Sequence, residues 1–384
     1  MCTPANLKNK PSDNLCTDIC ANNYTGTEFT GKEFEKLYGT TFVKVLRNDL
    51  THRNFCYKLG TLNECIEPFN PTKTCSHGGL YATFYKNLLD FIDFGSFYVE
   101  VTFPPDARIY LEDKKFKSDK LILSAKKQYF NELFDTYDYC KLLCVVRQKG
   151  TAIKYIKDQT PELCMEAVKQ NKFAIQFIKD QTYDLCMRAI KQDGNVIKYI
   201  KDQTLELCTE AVKQDEFAIK FIRYQPYELC MMAIKQDGNV IKYIKDQTPE
   251  LCIEAVKQSG FAIEFIANQT HELCMEAVKQ NEFAIECIRD QTHELCMKVV
   301  KQEGTTLEFI KNKTYELCKE AVKQDGTAIE FIKDQTYELC MEAVKQSGFA
   351  IKYIRDQTPE LCAEAVKQNG FAIVFLKNKT ISLY

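Results

Sequence analysis

From Gly150 onward the chain repeats itself every 22 residues without one insertion or deletion. Copies begin at Gly150, Lys172, Gly194, Glu216, Gly238, Gly260, Glu282, Gly304, Gly326, Gly348 and Gly370, and the eleventh is partial. So strict a register marks a stacked array, in which a unit too small to fold alone buries its apolar face against its neighbours. It restricts the repeat region to architectures whose unit closes on itself every 22 residues.

Each copy, numbered from position 1 to position 22, holds two apolar clusters. In the copy Gly238–Ser259 the first is Val240, Ile241, Tyr243 and Ile244, and the second is Leu251, Cys252, Ala255 and Val256, both spaced for one helical face. Between them Thr248 suits an N-cap, Pro249 the first helical position and Glu250 the positive end of the helix dipole. After the second cluster, Gly at position 1 suits a left-handed helix cap. The spacing therefore predicts a helix of about two turns, a tight turn, a helix of about two to three turns and another tight turn.

A single long lipid-coating helix shares this period, but it would carry Gly and Pro in its interior, at about 1 and 3 kcal/mol each. It would also leave the position-6 ring off its apolar stripe, from Tyr155 and Phe177 to Phe375, with Cys287 the exception. The leucine-rich strand signature and the ankyrin T-P-L-H-x-A signature are both absent. The fold class expected is mainly α: an α/α solenoid of eleven 22-residue helix-pair repeats, the last partial, preceded by a small α+β domain. The divisions read as a polar arm (1–27), an α+β leader (28–135), a degenerate capping half-repeat (136–149) and the array (150–384).

The chain carries 51 Lys and Arg against 53 Asp and Glu, so no basic field points to nucleic acid. No stretch approaches 18 apolar residues, which argues against a membrane span, and the polar first residues lack a secretory h-region. Of the 19 cysteines, ten recur at position 15 on the apolar face of the second helix. Read as small buried hydrophobes they imply a reducing, cytoplasmic compartment. The sequons at Asn268, Asn312 and Asn378 then belong to turns.

Symmetry-breaking positions mark where a partner could read the array. Position 5 runs Lys154, Gln176, Lys198, Lys220, Lys242, then Glu264, Glu286, Glu308, Glu330, then Lys352, a row that switches sign. Position 12 includes Tyr183, Tyr227, His271, His293, Tyr315 and Tyr337 beside the turn, residue types suited to protein contacts. A binding face made of both rows would run along the turns and the outer side of the first helix. Lys at position 20, from Lys169 to Lys367, reads as a solvated charge ladder.

Before the array, Gly31–Leu46 reads as helix, Phe55–Leu59, Leu80–Tyr85, Phe97–Phe103, Asp106–Tyr110 and Leu121–Ser124 as strands, and Asn87–Phe94 as a short helix. The runs FNPTKTCSHGGLYATF (69–84), FYVEVTFPPDARIYLED (97–113) and KSDKLIL (117–123) resemble the leader domain of repeat proteins in giant DNA viruses of amoebae, the mimivirus-like group. The resemblance implies an expanded viral family with an interaction role, and it supplies no catalytic residues. In outline the same region also resembles the ADP-ribosyltransferase fold. Under that resemblance His52 or His77, Tyr81 and Glu100 are the residues to watch, with Asp119 near the place of the closing glutamate. Cys56, Cys65, Cys75 and His77 are the zinc candidates, and Cys16 and Cys20 form a further pair. The expectation is a non-enzymatic protein-interaction scaffold without cofactor. It would be a monomer in the cytoplasm of an infected cell, binding a viral or host protein along the array, with no nucleic acid and no membrane.

Overall fold

The structure, a computed structural model, describes residues 25–52, 55–71 and 78–377. Cys16, Cys20, Cys75 and His77 lie outside the described residues. The chain divides into two compact units, Met1–Asp180 and Gln181–Tyr384.

The first unit holds a small sheet-rich domain. Its strands are β1 (Glu28–Thr30), β2 (Phe42–Leu46), β3 (Thr51–His52), β4 (Phe55–Cys56), β5 (Leu62–Glu64), β6 (Leu80–Phe84), β7 (Phe97–Thr102), β8 (Arg108–Leu111), β9 (Lys115–Ser118), β10 (Lys120–Leu123) and β11 (Gln128–Tyr129). Nine form one sheet in the order β1-β8-β9-β6-β2-β7-β10-β5, with β11 also paired to β7, while β3 pairs with β4. Every pairing is antiparallel. Phe42, Leu46, Phe84, Phe97, Val99, Val101 and Phe116 share a core with Phe34 of helix α1 (Gly31–Tyr38). The Phe34 ring centroid lies 5.0 Å from that of Phe116 and 5.2 Å from that of Phe42, within the range of favourable aromatic pairs.

The helix expected over Gly31–Leu46 ends at Tyr38. Thr30 and Glu33 form a capping box at its start, and Gly39 breaks it with φ 79°. The next apolar run, Phe-Val-Lys-Val-Leu, is rich in β-branched residues and fully buried, and becomes β2, a central strand paired on both sides. The expected strand at Phe55–Leu59 shrinks to Phe55–Cys56, and the short helix at Asn87–Phe94 is a 3-10 helix over Tyr85–Phe94.

Helix α2 (Phe130–Asp135) and helix α3 (Tyr139–Gln148) lead into the repeats. The end of α3 is built like the end of a copy. The Lys149 amide donates to the Val145 carbonyl as Asn171 does to Ala167, and Gln170 reaches the Gln148 carbonyl at 3.2 Å. Asp93, at the end of the 3-10 helix, receives Lys149 at 2.8 Å, Thr151 at 3.1 Å and Lys154 at 3.1 Å. The Tyr155 hydroxyl donates to the Gly95 carbonyl at 2.5 Å. Burial opposes the Asp93 charge, but the donors Lys149, Lys154 and Thr151 together hold its carboxyl below the usual range.

The repeats follow one plan in both units. Positions 1–6 form a 3-10 helix, as in Gly238–Tyr243, and positions 12–21 an α-helix, as in Pro249–Gln258. Thr at position 11 is the N-cap, with Pro226 in its place in one copy; the Thr248 hydroxyl accepts from the Leu251 amide at 3.4 Å. Positions 3, 4, 7, 14, 15, 18 and 19 are buried, here Val240, Ile241, Ile244, Leu251, Cys252, Ala255 and Val256. Each large apolar side chain removed from water this way contributes roughly 1.5–3 kcal/mol.

Two expectations change. The position-6 ring is half-buried rather than buried, and Phe375 of the last copy is exposed. The position-1 glycines do not take a left-handed cap, since the positive-φ glycines among the described residues are Gly26, Gly39, Gly60 and Gly78. They serve close approach instead. A Cβ on Gly260 would stand 2.7 Å from the carbonyl oxygen of Ala277, at position 18 of the same copy, and one on Gly304 would stand 2.5 Å from that of Ala321. The helix ends at an extended position-22 residue, whose side chain often caps the amide two residues on, as Asp237 does for Asn239 at 2.8 Å.

Candidate binding surface of the repeats

The joint between copies is made by a side chain that looked like ordinary turn polarity in the sequence, Gln at position 10. Gln247 Nε2 donates to the Ile241 carbonyl of its own copy and the Phe265 carbonyl of the next, both at 3.1 Å, and its Oε1 accepts from the Ala267 amide at 3.2 Å. Gln203, Gln225, Gln269, Gln291, Gln335 and Gln357 repeat all three bonds. At Lys313 the pattern breaks: its ammonium donates to Glu308 and Ile310 carbonyls within its own copy. Position 8 adds a cationic arm over the previous copy, such as Arg355 Nη1 to the Lys333 carbonyl at 3.0 Å. The position-15 thiol contacts the position-10 carbonyl, as Cys230 does to Gln225 at 3.6 Å. Burial pushes the Cys186 and Cys230 thiols up to about 11, so they stay protonated at neutral pH.

On this frame the position-5 row splits into different environments. Lys154 is tied to Asp93. Lys198, Lys220 and Lys242 are exposed and lie across position-6 rings of their own and the next copy; Lys220 Nζ is 4.7 Å from the Phe221 centroid and 5.8 Å from that of Tyr243. Glu264, Glu286, Glu308 and Glu330 are exposed at the same place in their copies. Position-2 phenylalanines widen the strip, and Phe283 meets Phe309 edge-on at 6.0 Å.

The position-12 row is exposed at Tyr183, Tyr227, Tyr315 and Tyr337, between 45% and 55%. It leans on Glu at position 13 of the next copy. Tyr315 donates to Glu338 at 2.7 Å, which pushes its phenol up, and His271 and His293 stand 3.6 and 3.5 Å from Glu294 and Glu316. Between adjacent turns lie clefts of about 360, 380 and 410 Å³. Pro249, Pro359 and Tyr337 of position 12 stand in their walls. The position-5 residues line none of these clefts, so the two rows expected on one face serve different surroundings.

In the sheet domain, His52 and Tyr81 line one cavity with Lys44, while Glu100 is exposed on β7, 3.4 Å from Gln128, and does not line it. Asp119 accepts from the Arg108 amide at 2.8 Å. Cys56 is exposed and Cys65 half-buried; no group of three or more His, Cys, Asp or Glu suited to a metal occurs among the described residues.

The fold and surface define a tandem helical-repeat protein behind a small sheet-rich domain. Residues 160–205, 227–270, 248–292, 314–357 and 336–380 match a family described as a domain of unknown function (DUF4116). Each match spans about two copies, and all five begin at position 11 or 12, at the start of the second helix. Comparison with curated proteins finds no match, and comparison with solved structures finds none. No helix among the described residues is long and apolar enough to cross a membrane.

Proposed function

We propose that the repeats are a non-enzymatic scaffold that binds another protein, viral or host, along the turn edge and the first-helix strip, with the sheet domain as a separate docking or regulatory module. One observation carries the reading: a near-constant frame of Gln joints and buried rows presents exposed rows whose chemistry changes from copy to copy, beside clefts large enough for side chains. A purely structural array has no use for a position-5 row that changes from Lys to Glu midway. The leader resemblance adds a viral setting, with the protein acting in the cytoplasm of the infected cell.

The test is affinity capture from infected-cell lysate with three full-length baits: wild type, a variant with Glu264, Glu286, Glu308 and Glu330 all changed to Lys, and a variant with Tyr183, Tyr227, Tyr315 and Tyr337 all changed to Ser. The four glutamates are exposed, so the Lys variant should melt like wild type; the Ser variant loses the Tyr315–Glu338 bond, and capture is run below its melting transition. A defined protein held by wild type and lost by at least one variant is the expected result. The same proteins recovered on all three baits would overturn the reading.

A further inference from the structure

The sheet domain buries an amine where strand chemistry calls for an apolar residue. Lys44 is the middle residue of β2, in a central strand, and is 3% exposed. Pairing of β2 with β6 is confined to Phe42↔Phe84 and Val43↔Thr83, and Lys44 Nζ reaches the Tyr81 carbonyl at 2.5 Å. The amine also stands 3.5 Å from His52 Nδ1 and 4.2 Å from the Tyr57 ring centroid. Among the described residues no carboxylate lies within ion-pair distance of it. A buried cation without a counter-ion is costly, and desolvation pushes this amine down to about 7, so a large fraction is neutral at physiological pH. A Met or Leu would fill the same strand position without that cost.

Lys44 also borders a space. With His52, Tyr81, Thr83, Phe91, Phe94 and Lys115 it lines a half-open cavity of about 120 Å³. The walls are mainly apolar, the setting in which a lysine serves as a nucleophile rather than a charge.

We propose that this cavity binds a small aldehyde or ketone as a reversible imine on Lys44. The Nζ lone pair attacks the carbonyl carbon, forming the C–N bond while the carbonyl π electrons move to oxygen, which takes up a proton. The carbinolamine then expels that oxygen as water as nitrogen loses its remaining proton and the C=N bond forms. No electrons are gained or lost overall, and water is the only leaving group. His52 Nδ1 is close enough to relay the proton from the amine to the departing hydroxyl. Phe91 and Phe94 cover the apolar part of the ligand.

Full-length protein at pH 7 is treated with limiting propanal and cyanoborohydride, which reduces imines to stable N-propyl amines, and the labelled lysines are located by peptide mass spectrometry. Exposed lysines are almost wholly protonated at this pH. The neutral fraction of Lys44 is about a thousandfold greater, so it should label at least about tenfold faster than any of them even though burial slows reagent access. A parallel arm with pyruvate separates a neutral carbonyl ligand, excluded when charged, from an anionic one, which labels Lys44 at least as fast. Lys44→Met should remove the fast phase alone, and His52→Ala should slow it while leaving surface labelling unchanged. Labelling of Lys44 no faster than the exposed lysines with both reagents overturns the proposal, and needs no variant to fold.

Discussion

The joint at Lys313 offers a test in which a single change should strengthen the protein. At Gln247 and its counterparts from Gln203 to Gln357, the position-10 amide ties its own copy and the next with three bonds, two of them crossing the joint. At Lys313 both bonds run back into its own copy, to Glu308 at 3.3 Å and Ile310 at 2.8 Å. Replacing it, Lys313→Gln, should let the amide donate to the Phe331 carbonyl and accept from the Lys333 amide, the equivalents of Phe265 and Ala267 at Gln247. Each hydrogen bond contributes about 0.5–1.5 kcal/mol net, so the joint should gain about 1–3 kcal/mol. In an array coupled only to nearest neighbours that gain appears in the repeat transition itself. Urea unfolding of the full chain, followed by far-ultraviolet circular dichroism, should show a higher midpoint, and amide exchange at Phe331–Lys333 should slow. Gln291→Lys should do the reverse, by a similar amount. Unchanged stability in Lys313→Gln, or stabilisation by both substitutions, would refute the idea that the Gln bridge holds copies together.

Glycine at position 1 provides a second comparison. Gly304→Ala should cost about 1–3 kcal/mol by driving a methyl into the Ala321 carbonyl, whereas Gly370→Ala meets nothing within 4 Å and should be neutral or stabilising by up to about 1 kcal/mol in thermal melts. With a thiol reagent at pH 8, exposed Cys56, Cys140 and Cys144 should react at once, while the buried position-15 thiols, raised by desolvation, should wait for unfolding. Asp93 is depressed in the folded state, so its contribution is present above the ordinary carboxylate range and lost as pH falls through the folded value. Asp93→Asn should therefore loosen amide exchange around Thr151–Tyr155 at pH 7 and match wild type in acid.

What the sequence disclosed depended on whether the signal was periodic. The buried positions, from Val240 through Val256, follow from apolar spacing alone, because a stacked unit has one inward face. Six residues are too few for periodicity to separate a 3-10 helix from an α-helix, so Gly238–Tyr243 read only as helical. Gly260 was legible as special but not why, since a left-handed cap and a close approach both demand a missing Cβ. Gln247 recurs in nearly every copy, yet an amide in a turn looks the same whether it faces water or bridges two copies. Position 5 stands out as variable in the sequence, but the rings beneath Lys220 and the tie of Lys154 to Asp93 depend on three-dimensional neighbours. Lys44 gave no signal, because Gly31–Leu46 read as one helix, on which a lone lysine belongs to the solvent side.

The strict register gives the second unit a mechanical character. Pulled from its ends, a stack of identical joints yields one copy at a time, and each copy releases 22 residues of chain, about 73–79 Å when extended. The extension record should be a series of evenly spaced steps. The first break belongs at the joint after Lys313, where the position-10 bridge is missing and the side-chain ties are those of Gln346 to Gln324 and of Tyr315 and Lys319 to Glu338.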